Sequence, residues 1–165
     1  MNATARAAGV SKGGLLYHFA SKEALEGALL ERLRILVAED VAAIEAAEDG
    51  AIAYFLRSSI MQNDPLDRAI LAASRLAQGG KDAAGDALRA IRDEWARVLR
   101  QHARDETALN LVMLVSDGLY FNNALAGGSI PGPVPEGPAL DALIALVEKA
   151  SRNGHDVPSP AVSPR

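Results

Sequence analysis

The sequence predicts an all-α protein, and three observations carry that prediction. Hydrophobic residues make up 49% of the chain but aromatic ones only 4%, an Ala/Leu-rich composition that suits helices rather than a β-sandwich. Apolar residues recur three and four apart along most of the chain, the period of a helix face. No strand is evident at any point. The 165 residues have room for a single domain or for a small head on a larger helical body.

The first element is a short helix ending at Ala7-Ala8, followed by a tight turn and a second short helix, Val10-Ser11-Lys12-Gly13-Gly14-Leu15-Leu16-Tyr17-His18-Phe19. Gly9 sits where the turn needs a residue without a Cβ, since φ > 0 is costly for any other. Ser11 is placed to cap the second helix by accepting a backbone N–H. Leu15 and Phe19, four apart, share the face that packs on the preceding helix. Ser21 caps a third helix, and Glu23 lies in its first turn, where the helix dipole favours a carboxylate. Such a unit has a natural use in reading DNA: its second helix enters the major groove with its N-terminal residues at the base edges. The candidate DNA-contacting residues are Ser11, Lys12, Gly13, Gly14, Leu16, Tyr17, His18, Ser21 and Lys22. Gly13 and Gly14 allow close backbone approach. Lys12, Tyr17, His18 and Lys22 offer donors to phosphate, and the starts at Ser11 and Ser21 expose backbone N–H groups.

Residues 4–29 closely resemble the DNA-binding segment of the tetracycline-repressor (TetR) family of bacterial transcription regulators. The resemblance rests on Ala8-Gly9-Val10-Ser11-Lys12-Gly13, Leu15, Tyr17-His18-Phe19 and Ser21-Lys22-Glu23-Ala24-Leu25. It implies that Lys12 to His18 form the recognition helix, with Gly13 and Gly14 at the bases and Tyr17, His18 and Lys22 on phosphates. Members of that family carry a whole helix before the helix-turn-helix, so the resemblance also implies a head that lacks the usual first helix, through a misassigned start or a truncation. Without that cover Leu15, Phe19, Leu25 and Leu29 are expected to lose a packing partner, each worth about 1.5–3 kcal/mol when fully buried. The head is then expected to be loose.

The third helix is expected over Lys22 to Ala47, with Leu25, Leu29, Leu33, Leu36, Val37, Val41 and Ile44 at helical spacing and a break at Glu48-Asp49-Gly50. A helix from Ala51 to Gln62 follows, its inner face Ile52, Phe55, Leu56 and Ile60. Asp64-Pro65 starts the next, with Asp as N-cap and Pro at the first position, and Gly79-Gly80 ends it. Asp82 to His102 carries Leu88, Ile91, Trp95, Leu99 and His102 along one stripe. Asp105 to Ala126 has Leu109, Val112, Ser116, Leu119 and Asn123 on one face and Leu111, Leu114, Gly118, Phe121 and Leu125 on another, and apolar residues on two faces predict burial on more than one side. Gly127 to Gly137 reads as a Gly/Pro-rich loop, Pro138 to Arg152 as the last helix, and 154–165 as a disordered tail.

The expected organisation is a partial helix-turn-helix head with its linking helix (1–47), a ligand-binding and dimerisation body (48–153) and the tail. The central helices are where the resembled family places its small-molecule pocket. Candidate pocket residues are Tyr54, Phe55, Met61, Trp95, Met113, Asp117, Tyr120 and Phe121, of which all but Asp117 are also readable as ordinary core. Asp117 needs a partner if buried, such as a ligand or Arg75. The segments 105–126 and 138–152 are assigned to a homodimer interface, two helices from each subunit around a two-fold axis.

The net charge of −4 is unevenly spread. Residues 1–35 hold Arg6, Lys12, Lys22, Arg32 and Arg34 against Glu23, Glu26 and Glu31, a net +2; the remainder holds 12 basic and 18 acidic residues, a net −6. A mildly basic head on an acidic body suits a DNA reader with a separate regulatory part. Enzyme readings fare poorly. The chain has no cysteine, hence no thiol nucleophile or thiolate metal site. His18, His102 and His155 show no paired metal spacing, and no glycine-rich loop follows a strand. No cofactor is expected. The most apolar run, Leu109 to Val115, is too short for a bilayer, and no apolar leader opens the chain, so a cytoplasmic protein without a membrane partner is expected.

The function expected is a ligand-responsive, sequence-specific transcriptional regulator, a repressor, that binds double-stranded operator DNA and an unknown small-molecule effector. The alternative is a helical dimer that binds a small molecule or a protein partner and has lost DNA binding through N-terminal truncation.

Overall fold

The protein, described from a computed structural model over residues 1–60, 62–124, 132 and 134–152, is all-helical with an N-terminal helix-turn-helix. Its helices are α1 (Asn2–Ala7), α2 (Lys12–His18), α3 (Lys22–Ala46), α4 (Ala51–Ser58), α5 (Pro65–Gln78), α6 (Asp82–Leu99), α7 (Glu106–Ala124) and α8 (Pro138–Arg152). The expectations for Met61, for most of the 127–137 loop and for the 154–165 tail fall outside the described residues.

Helix boundaries follow local chemistry. The Asp64 carboxylate accepts from Asp67 N at 2.8 Å and the Asp67 carboxylate accepts in return from Asp64 N at 3.3 Å, a reciprocal cap with Pro65 at the first helical position. α5 closes at Gly80, φ +81. There Lys81 N donates to the Leu76 carbonyl and Gly80 N to that of Ala77, both at 3.0 Å, the bond pair that ends a helix on a left-handed residue.

Some helix ends differ from the sequence expectation. α4 stops at Ser58 rather than Gln62 because the hydroxyls of Ser58 and Ser59 both donate to the Phe55 carbonyl, at 3.0 and 2.7 Å; serine hydroxyls that bond back onto the turn compete with the helix ladder. α6 stops at Leu99 rather than His102. Its end tightens, with Gln101 N on the Val98 carbonyl and His102 N on that of Leu99. α7 begins at Glu106, capped by Asp105, whose carboxylate accepts from Ala108 N at 2.7 Å.

Two compact units make up the chain. One comprises residues 1–39 and 63–91, the other residues 40–62 and 92–165. In the first, α1 packs on α2, with Ala5 and Leu15 buried, and Leu33, Leu36, Val37, Ala69, Ala73 and Ala84 are buried as well. In the second, α4 packs on both α7 and α8, and α7 on α8. The core of this unit holds Ile44, Ile52, Phe55, Leu56, Leu99, Leu109, Val112, Met113, Leu119, Ile144 and Val147. Polar ties link its elements: Ser59 and Ser116 hydroxyls meet at 2.7 Å in the interior, and Arg104 N donates to the Ser151 carbonyl at 3.0 Å. Arg57 pairs with Asp49 and with Asp141, the latter at 3.3 Å.

Within one chain, α7 buries a single face. Leu109, Val112, Ser116 and Leu119 point inward, whereas Leu114 is 66% and Phe121 61% exposed, with Leu111 beside them. The second apolar face of α7 finds no cover among the described residues of its own chain.

Leu56 is fully buried in the α4 layer, so Leu56→Ala is expected to cost about 2–5 kcal/mol, transfer and cavity together, measured as a drop in the urea midpoint at unchanged slope. A loss no larger than that of the exposed Leu146→Ala would place α4 outside the core.

Candidate nucleic-acid interface

The head is built around one turn. α1 ends with Gly9 at φ +68; Gly9 N donates to the Arg6 carbonyl at 3.2 Å and Val10 N to that of Ala5 at 3.0 Å. The positive φ is what a glycine supplies at no steric cost. The chain then turns into extended backbone at Ser11, whose hydroxyl accepts from Gly14 N at 2.9 Å and so caps α2. Leu15 is buried and Phe19 half-buried, so α2 leans on the unit through those two residues. Phe19 leaves the helix in extended backbone. Ser21 repeats the cap at α3, accepting from Ala24 N at 3.1 Å. Glu23, in the first turn of α3, has its carboxyl held below the ordinary value by a backbone hydrogen bond and by the Ser21 hydroxyl.

The remaining side of α2 faces outward. Ser11, Lys12, Gly13, Gly14, Leu16, Tyr17, His18, Ser21 and Lys22 are all exposed, Tyr17 by 87%. The Tyr17 and His18 rings meet edge to face, centroids 5.3 Å apart at 84°. A Cβ added at Gly13 would meet only the Ser11 hydroxyl, at an ordinary 3.9 Å. Internal packing therefore does not demand a glycine there. At Gly14 the same hydroxyl would stand at 3.3 Å, tight enough to disturb the cap. The Lys22 ammonium lies 3.4 Å from a carboxylate oxygen of Glu26.

Chemically, this surface offers two hydroxyls, a phenol, an imidazole and two ammonium groups around a strip of bare backbone. Donors to phosphate surrounding a place of close approach are what a groove-entering helix requires.

The residues read as an effector pocket are brought together only in part. Phe55 and Met113 are core residues, and Trp95 and Tyr54 are half-buried against the same cluster. Trp95 stands 6.0 Å from the Phe55 ring, centroid to centroid. Its indole N–H donates to Asp40 at 2.9 Å, a partner the sequence reading missed. Tyr120 is half-buried. Asp117 and Phe121 are not joined to this group: both are exposed, because the inward face of α7 runs through Val112, Ser116 and Leu119. The partner of Asp117 is Arg92, at 2.6 Å, not Arg75, and that hydrogen bond raises the Arg92 pKa above its ordinary value. Met61 lies outside the described residues. Among the described residues no group of three or more His, Asp or Glu side chains is placed to hold a metal ion, and no helix is long and apolar enough to cross a membrane.

Residues 1–29 match the family model described as bacterial regulatory proteins, tetR family. No curated protein and no solved structure matches the chain.

Removing the α2 cap by Ser11→Ala is expected to cost about 1 kcal/mol locally. The measurement is amide hydrogen exchange, in which Gly14 and its neighbours in α2 lose protection while α4 and α7 keep theirs. Unchanged exchange at Gly14 would mean that the hydroxyl does not hold the helix start.

Proposed function

Taking residues 1–29 as a DNA-binding segment of the tetR family of bacterial regulators, we propose that this chain is a ligand-responsive transcriptional repressor that reads double-stranded operator DNA with α2. The observation that carries the reading is the outward side of α2, where Lys12, Gly13, Tyr17 and His18 are exposed on a helix fixed from behind by Leu15 and capped by Ser11. In this reading Gly13 and Gly14 approach the base edges, Leu16 packs beside them, and Lys12, Tyr17, His18, Ser21 and Lys22 hold phosphates. The functional division is the head with its linking helix over 1–47 and an effector-binding and dimerising body over 48–153. The protein works in the cytoplasm, without a membrane partner.

The dimer of this proposal forms through α7 and α8. Leu111, Leu114 and Phe121 are exposed on α7 and Leu146 is 64% exposed on α8, and a Cβ at Gly118 would meet open space. Exposed apolar residues on two helices that pack together suit an interaction site, and the helix pairs of two copies would close it around a two-fold axis. Two α2 helices then enter successive major grooves of a near-palindromic operator. A small molecule bound beside Phe55, Trp95 and Met113 represses DNA binding by favouring the non-operator arrangement, by no more than its differential affinity for the two states.

The test is selection of binding sites from a random duplex pool, followed by anisotropy titration at two salt concentrations. A salt-dependent preference for one sequence supports the regulator. Dimerisation without DNA binding supports the alternative, a helical dimer for a small molecule or protein partner. Lys12→Ala and Tyr17→Ala are expected to weaken binding to all sequences alike, Lys12→Ala also reducing the salt slope by about one, whereas Gly13→Ala shifts base preference. An unchanged slope for Lys12→Ala removes that residue from the phosphate contacts.

Leu114→Glu is expected to convert the dimer to monomer by sedimentation velocity with the helix content intact. A dimer that survives both Leu114→Glu and Phe121→Glu would move the interface off this face.

A further inference from the structure

Near the start of α3 one carboxylate faces two lysines. Glu26 Oε1 lies 3.4 Å from Lys22 Nζ, and its Oε2 lies 3.0 Å from Lys81 Nζ. Lys81 comes from the joint between α5 and α6, directly after the Gly79-Gly80 turn, and all three residues belong to the same compact unit. The Glu26 side chain is only 15% exposed, against 61% for Lys22. A carboxylate largely withdrawn from water holds tightly to whatever cation it has. Satisfied by Lys81, it leaves Lys22 with a weaker and longer contact. Deprived of Lys81, it would have Lys22 as its remaining counter-ion among the described residues.

Resting on the reading of Lys22 as a phosphate contact, we propose that Lys81 is a positioning residue for DNA binding: by neutralising Glu26 it keeps the Lys22 ammonium available to the DNA backbone. The joint between α5 and α6 thereby sets DNA affinity through one ion pair, and loss of the Lys81–Glu26 contact withdraws a cation from the interface. The order of the two contacts agrees with the charge environment. The Glu26 carboxyl is held below its ordinary value first by the hydrogen bond from Lys81 and only then by Lys22, and the Lys81 ammonium is raised by the same bond. Glu23 is the other titratable group nearby, attracted by Lys81 and repelled by Glu26.

The experiment compares Lys81→Met, Glu26→Gln/Lys81→Met and Lys22→Ala/Lys81→Met with the unaltered chain, using the DNA that this chain selects and a salt series. Lys81→Met is expected to weaken binding about fivefold, the order of one ion pair, and to lower the salt slope. Adding Glu26→Gln restores affinity and slope, because the competing carboxylate is gone. In the Lys22→Ala background Lys81→Met changes nothing further. Independently of DNA, carbon-detected NMR titration shows the Glu26 carboxyl moving up toward its ordinary value in Lys81→Met. A Lys81→Met defect that Glu26→Gln does not rescue, or that persists without Lys22, overturns the proposal by making Lys81 a direct DNA contact. An unchanged Glu26 titration overturns it whatever the DNA result. Failure of the unaltered chain to bind any duplex overturns the DNA reading itself, and is thereby told apart from unaltered binding by Lys81→Met, which overturns only this inference.

Discussion

What α2 presents depends on a single backbone turn. Gly9 at φ +68 lets Gly9 N and Val10 N bond back to the Arg6 and Ala5 carbonyls, and only then can the chain enter extended backbone at Ser11 and begin a new helix. Any side chain at position 9 would strain that turn, although it would meet no neighbour there. The constraint is conformational and not steric. It fixes which side of α2 leans on the unit through Leu15 and which side carries Lys12, Gly13 and Tyr17. The joint between α5 and α6 repeats the device at Gly80, and Lys81 follows it directly.

The parts of this architecture that were legible in the sequence are those written locally. Helix starts at Ser11, Asp64-Pro65 and Pro138 and the stop at Gly79-Gly80 follow from capping chemistry within four residues, and the head is a continuous run whose meaning needs no distant partner. Helix ends governed by side-chain competition were not legible. Two serines at 58 and 59 read as neutral until both hydroxyls are seen on the Phe55 carbonyl. Nor were the long-range polar pairs. Trp95 needs an acceptor for its indole, but nothing near it in sequence points to Asp40, and Arg92 became the partner of Asp117 through helix packing alone. The candidate pocket residues divide for the same reason: the rotation of α7 sends Met113 inward and Asp117 and Phe121 outward.

The charged groups divide by their reach along the chain. Glu31–Arg34, Asp86–Arg89 and Glu94–Arg97 sit one helical turn apart on exposed faces, where water and salt screen them and each contributes little. Lys81–Glu26, Arg92–Asp117 and Arg57–Asp141 join residues far apart in sequence. Such pairs add modestly to stability, but they report on the arrangement of the helices they join, since each exists only while its two elements keep their places. A device that senses arrangement is built more naturally from these than from pairs within a helix.

α7 ties the stability of the body to its proposed work. A helix apolar on one face is satisfied by the α4 and α8 layer beneath it, and Leu109, Val112 and Leu119 do that. Stability of the single chain gives no reason for Leu111, Leu114 and Phe121 to be apolar as well, because exposed leucine and phenylalanine gain nothing from the core and invite association. Their apolar character makes sense on a surface that a second copy covers. The inner face of the same helix places Met113 in the cluster that holds Phe55. A ligand that repacked that cluster would therefore press on the helix whose outer face is the proposed dimer surface, and the small displacements of a packed core, which is not freely deformable, would reach the geometry of that proposed dimer directly.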